Sequence, residues 1–227
     1  MNEAISKERL SSKDLYLNRF IKKGKKEKTE PTLRDKELVL LRNAVKRINY
    51  TDISFQKGEL YKNEQFYNVE INNKEINILL TYVKNYSIQN KIAGEKVTPN
   101  KFDINISVNE TDFNRVHFHK SLPKILRGVG LGYKIYKSLV LELGFLSSDN
   151  TASFAAQSVW YHLIQDSDFN YILHKNFVFI IKRDLPINKK MNTVISYMKH
   201  YKWLFEDESE FDIDDELVQE LEEYGNT

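Results

Sequence analysis

A glycine cluster constrains this chain more than any other feature. Three of its eight glycines, Gly128, Gly130 and Gly132, fall within the segment Arg127-Gly128-Val129-Gly130-Leu131-Gly132. Just upstream, Arg115-Val116-His117-Phe118-His119 alternates apolar and polar residues, the pattern of a half-buried strand. Just downstream, Leu131, Ile135, Leu139 and Leu143 recur at helical spacing and stop at Gly144, a C-terminal capping glycine. The order is therefore strand, glycine turn, helix, and then an extended segment from Phe145. Glycines in such a turn adopt positive φ and let the backbone approach a ligand closely. The amides that open the helix can donate to phosphate oxygens, and the helix dipole favours negative charge there. Arg127 can add a bidentate phosphate contact, and the amides of about Val129 to Tyr133 complete the cradle.

The surrounding pattern mixes helices with short strands. Leu33, Leu38, Leu41, Val45 and Ile48 predict an amphipathic helix over about 33–48, with Thr32 as its N-cap. Strand-like runs follow at 53–55, 66–71 and 76–83, separated by Lys-Gly and Asn-Asn turn signals. A hairpin of 101–108 with 115–119 feeds the glycine loop, and Asn109-Glu110-Thr111-Asp112 supplies its turn. After the extended segment, a helix over Ser153 to Gln165 leads to two strands about Lys175-Asn176 and then to a helix near 191–204. The expected class is α/β of the α+β kind: a mixed, mostly antiparallel sheet flanked by helices.

Length and charge set the outer bounds. The 227 residues suffice for one main domain with extensions, and 41% apolar residues suffice for its core. We divide the chain into a basic arm at 1–31, a main domain at 32–185, and a C-terminal helix with an acidic tail at 186–227. The net charge of +2 conceals the difference between these ends. The arm carries Lys22, Lys23, Lys25, Lys26 and Lys28 near Tyr16 and Phe20, so it either contacts nucleic-acid phosphates or stays solvated. The acidic end, from Glu206 to Glu223, either docks on a basic partner or folds back on the arm. With no cysteine, a disulfide framework, a thiolate metal site and a cysteine nucleophile are all excluded, and a reducing cytoplasm is expected. The N-terminus lacks an apolar leader segment, and the greasiest run, 138–146, is too short to cross a bilayer, so neither export nor membrane insertion is expected.

Two familiar glycine motifs do not fit. The dinucleotide fingerprint needs its third glycine three residues after the second, whereas Gly132 sits two after Gly130. The phosphate-binding loop of nucleoside triphosphatases needs Gly-Lys-Ser/Thr, which is absent.

The spacing Arg127-x-x-Gly130-x-Gly132, with Leu131 between the glycines, resembles the pyrophosphate signature of the GNAT acetyltransferase superfamily, (Gln/Arg)-x-x-Gly-x-(Gly/Ala). The order of elements over about 50–183 is similar to that family, most closely over 115–165. The resemblance implies a sheet with a central splay between the strand Arg115 to His119 and the strand Phe145 to Ser147. Acetyl-CoA would lie in that splay as co-substrate, its pyrophosphate on Arg127, Gly128, Val129, Gly130, Leu131, Gly132 and Tyr133 and its pantetheine along the edge near Phe118. An amine-bearing acceptor, whether protein, small molecule or nucleic acid, would enter from the opposite side. The Val-Trp of the 153–163 region also resembles GNAT-fold proteins encoded by bacteriophages, which implies a host cytoplasm.

Acyl transfer to an amine needs a base that neutralises the amine and an acid for the departing thiolate. His117, His119 and Glu110 are the base candidates, because all three lie on the hairpin that leads into the loop and imidazole titrates near neutral pH. The competing account makes the two histidines, which share one face of a strand, ordinary hydrogen-bonding residues. No third ligand lies near enough in sequence for a metal site, and none is expected. Many family members carry the acid as the Tyr of Asn-x-x-Ala-x-x-x-Tyr. Aligning Ala156 with that Ala puts Ser153 at the Asn position and Trp160 at the Tyr position. Tyr161 is the adjacent candidate, about 100° further round the helix. The function expected is transfer of an acetyl group from acetyl-CoA to an amine. The alternatives are a catalytically inactive GNAT-fold binding module and a nucleic-acid-modifying protein on the same scaffold.

Overall fold

The computed structural model describes residues 35–73, 77, 104–118, 128–149, 152–175, 177–202 and 211–226. They belong to two compact units, one spanning Glu27–Asp149 and one containing Asn150–Thr227.

The first unit begins with helix α1 (Asp35–Arg47) and a 3₁₀ turn at Tyr50–Asp52. Asp52 holds that turn by accepting the Asn49 N–H at 2.9 Å. Strand β1 (Ile53–Tyr61) then pairs antiparallel with β2 (Glu64–Ile71). The turn between them is Lys62-Asn63, with φ of 48° and 67°. Two left-handed residues match the twist of the flanking strands in a two-residue hairpin. The Lys57-Gly58 pair, expected to be a turn, lies inside β1. The register shifts between Lys57 and Leu60, so the extra residue is taken up as a bulge at Gly58, whose carbonyl accepts the Gln65 side-chain amide at 2.9 Å.

Strand β3 (Ile104–Asn109) pairs antiparallel with β2, and β4 (Arg115–Phe118) pairs antiparallel with β3. The expected strand at 76–83 lies outside the described residues except for Asn77, which corrects it: Asn77 is helical and its N–H bonds the Asn73 carbonyl at 3.0 Å. A short apolar run does not distinguish a buried strand from a buried helix. Helix α2 (Leu131–Leu143) ends as its sequence implies, on left-handed Gly144 (φ 86°), whose N–H reaches the Val140 carbonyl at 2.7 Å. Strand β5 (Phe145–Ser147) then runs parallel to β4. The strand order in this unit is β1-β2-β3-β4-β5. Its core gathers Val45 of α1 and Ile48 just after it, Ile106 and Val108 of β3, and Ile135 and Leu139 of α2, each no more than 1% exposed.

The second unit opens with α3 (Phe154–Ile164), whose N-cap Ser153 accepts the Ala156 N–H at 3.3 Å. The hairpin of β6 (Phe169–His174) and β7 (Phe177–Lys182) follows as expected, with Lys175 in the left-handed region at φ 51°. Every residue of β6 and all of β7 but Lys182 are buried, which explains why both are largely apolar. Helix α4 (Ile187–His200) lays Tyr197 flat on Phe179, ring centroids 4.3 Å apart.

The acidic end is structured from Phe211 onward. Strand β8 (Phe211–Ile213) pairs antiparallel with β6, and helix α5 (Asp215–Gly225) follows, with the Asp214 side chain accepting the Glu216 N–H at 3.0 Å. Basic residues of the same unit pair with three of its carboxylates. Arg183 pairs with Asp214 at 3.5 Å and also with Glu216, and the buried Lys190 donates to Glu220. The basic arm at 1–31 lies outside the described residues.

Of the strand pairings described, only β4 with β5 is parallel. Mostly antiparallel strands flanked by helices make an α+β fold. Among the described residues no helix is long and apolar enough to cross a membrane.

Candidate functional site

The glycine turn is positioned by what lies on either side of each glycine. Gly128 and Gly130 are exposed and left-handed, with φ of 74° and 89°, while Val129 and Leu131 are buried at 5% and 1% exposure. The apolar pair anchors the turn, and the glycines carry the backbone angle. A Cβ on Gly128 would meet nothing within 4 Å, and one on Gly130 would meet only Val45 Cγ1 at 3.9 Å. These glycines are therefore required by φ and not by crowding, and the space above them is open. Gly132 is different, since it lies half-buried in the first turn of α2 without positive φ. Helix propensity would favour Ala there by up to about 1 kcal/mol.

Helix α2 is fixed firmly behind the turn. Leu131, Ile135 and Leu139 are at most 1% exposed, and burying each such side chain contributes about 2 kcal/mol. The Lys134 N–H bonds the Gly130 carbonyl at 3.2 Å. Ser138 Oγ lies 2.9 Å from the Lys134 carbonyl and 3.2 Å from that of Tyr50, tying the helix to the 3₁₀ turn. The amides of a helix's first turn have no carbonyl four residues back, and Gly130 as N-cap brings no side-chain acceptor. A phosphate would meet those amides at the positive end of the helix dipole.

The strand before the loop has two different edges. On one side, β4 pairs with β3 along its whole length, Asn109↔Arg115 through Ile106↔Phe118. On the other, it meets β5 at Arg115↔Ser147, the one β4–β5 pair among the described residues. Asn114 secures that junction: its carbonyl accepts the Ser147 N–H at 3.3 Å and its side-chain amide donates to the Phe145 carbonyl at 3.1 Å. The chain leaves strand conformation at Ser148 while β4 continues to Phe118.

The residues singled out in the sequence fall in three places. Gly128, Val129, Gly130, Leu131, Gly132 and Tyr133 form the turn and the first turn of α2. In β4, His117 stands opposite Ser107 and Phe118 opposite Ile106. Arg127 and His119 lie outside the described residues. Tyr161 belongs to the second unit, where it is half-buried with its ring edge-on to His162 at 5.3 Å. Trp160 beside it is 1% exposed, a core side chain of that unit.

Glu110, the third base candidate, has partners that the sequence does not announce. Its Oε1 accepts a hydrogen bond from the Tyr67 hydroxyl at 3.0 Å and lies 3.4 Å from Lys57 Nζ. Burial, and then the bond to Glu110, push the Tyr67 phenol well above its ordinary value, so it stays a protonated donor through the neutral range. Burial also raises the Glu142 carboxyl of α2, against the pull of Lys57. Tyr67 and Glu110 are 43 residues apart and meet only through the β2–β3 register, so no local signal could have paired them. Among the described residues no group of three His, Asp or Glu side chains could hold a metal ion.

Comparison with protein-family models, with curated proteins and with solved structures found no match.

Proposed function

We propose that this chain is an N-acetyltransferase of the GNAT type, moving an acetyl group from acetyl-CoA to a primary amine. One observation carries the reading. Two left-handed glycines under open space lead directly into the head of a well-anchored helix, and they follow a strand that, among the described residues, its parallel neighbour meets only at the base.

The open space over Gly128 and Gly130 suits a pyrophosphate, which the first-turn amides of Leu131, Gly132 and Tyr133 would hold together with Arg127. Pantetheine would run along the β4 edge near Phe118, beyond the one β4–β5 pair among the described residues. Acetyl-CoA supplies the thioester. The neutral amine attacks the thioester carbonyl carbon, the C–S bond breaks, and the amine's proton passes to the base while the CoA sulfur leaves and is protonated. Glu110, His117 and His119 are the candidate bases. In this reading the protein works in the cytoplasm, and in a host's cytoplasm if a bacteriophage encodes it.

One observation favours a second reading, a non-catalytic GNAT-fold module. The position where the family carries its acidic Tyr holds Trp160, a buried core residue. A nucleic-acid-modifying role would draw on the basic arm. Calorimetry with acetyl-CoA, followed by thiol release with a panel of alkyl, peptidyl and nucleic-acid amines, separates the three. Binding with amine-dependent thiol release is expected. Binding without release would favour the module, release confined to nucleic-acid amines would favour modification of nucleic acid, and no binding would overturn the proposal.

A further inference from the structure

We propose that Glu110 and Tyr67 form a recognition site for a primary alkylammonium group and that Lys57 occupies it in the free protein. That this ammonium is the acceptor's rests on the acetyltransferase reading; the site itself does not.

The argument starts from unequal anchoring. Tyr67 is 1% exposed, stands opposite Lys57 in β1 and Ile106 in β3, and has Phe55 edge-on to its ring at 6.2 Å. Its hydroxyl is thus a fixed donor, and it fixes Glu110 Oε1 in turn. Lys57 is fixed by nothing comparable. Its side chain is 64% exposed, its Nζ lies 3.4 Å from the carboxylate, and it sits 5.8 Å from the centre of the Tyr67 ring. Exposed pairs of that kind are weak, because ordering a lysine side chain offsets most of the Coulomb gain. A carboxylate held from below and an aromatic face beside it are the two elements that recognise an ammonium. The protein's own ammonium already takes that position.

The location suits an acceptor. Asn109 pairs with Arg115, and Arg115 pairs with Ser147, so Glu110 leaves the sheet one residue beyond the junction of β4 and β5. Arg115 does not compete for Glu110, because its guanidinium pairs with Asp112. An ammonium that displaces Lys57 would therefore be held from the β3–β4 turn, whose backbone adjoins that junction.

The test titrates n-butylammonium into the full chain and follows the amide resonances of Tyr67 and Glu110. Lys57→Ala, at an exposed position, removes the internal competitor and should tighten binding roughly threefold, the strength of an exposed pair. Adding Glu110→Gln to Lys57→Ala should weaken binding by about tenfold, the worth of a charge-assisted hydrogen bond. Lys57→Met, which frees the carboxylate but keeps an aliphatic stem over the ring, should tighten binding less than Lys57→Ala does. Unchanged or weaker binding in both Lys57 variants overturns the proposal, as does a Glu110→Gln double variant that binds like its Lys57→Ala parent. Acetyl-CoA titrated into the same proteins reads the glycine turn separately. Ammonium binding that follows this pattern without any acetyl-CoA binding would leave the site standing and remove the acetyltransferase reading.

Discussion

Gly130→Trp should lower the affinity for acetyl-CoA by at least about a hundredfold, the loss of roughly two charge-assisted contacts to phosphate, while the protein stays folded. The two halves of that expectation have separate causes. Gly130 is exposed and its Cβ direction meets only Val45 Cγ1 at 3.9 Å, so an indole can extend outward over the turn without disturbing the core. The folding cost is then the strain of a side chain at φ 89°, about 1–3 kcal/mol. The binding cost arises because the ring fills the space where phosphate oxygens would approach the first-turn amides of α2. Gly130→Ala shares the strain but leaves most of the space, so its affinity loss should stay below about tenfold. Calorimetry and thermal melts on the two variants separate filling from strain. Equal affinity losses in both would mean that the backbone angle and not the open space governs binding.

Phe179→Ala should destabilise the protein by about 3–5 kcal/mol, the range for truncating a buried phenylalanine. Phe179 is fully buried in β7 and its ring lies against Tyr197 of α4 at an interplanar angle of 17°. Truncation removes the stacked contact and leaves a cavity between strand and helix that neither backbone can close. In a chain of this size the melting temperature should fall by about 10 °C. Ile195 on the same helix is 39% exposed, and its replacement by Ala should stay within about 0.5 kcal/mol. A Phe179→Ala cost no larger than that of Ile195→Ala would contradict the packing described for this unit.

What the sequence makes legible is local. Helix α2 is readable because its apolar stripe, its glycine N-cap and Gly144 all agree. The β6–β7 hairpin is readable because both strands are buried on two faces and so are largely apolar, Phe177–Ile181 without a break. The β1–β2 turn is not readable, because a glycine at a bulge and a glycine at a turn look alike in sequence, and Lys62 is no turn former. Charge hides β8 and α5 in the same way. Phe211 and Ile213 alternate as a strand should, but the acidic residues around them resemble a solvated tail until Arg183 and Lys190 are found beside them. At the site, the glycine turn is a local motif and can be read directly. The Tyr67–Glu110–Lys57 arrangement joins three separate segments through strand register, and register is not written in any short window.

The most direct test of the central claim is a nitrogen-resolved titration of the labelled chain with acetyl-CoA. The account predicts that the amides of Gly128 through Tyr133 shift first and saturate together, with those of His117 and Phe118 following the same isotherm. Saturating shifts elsewhere in the chain, or none at all at the glycine turn, would contradict it.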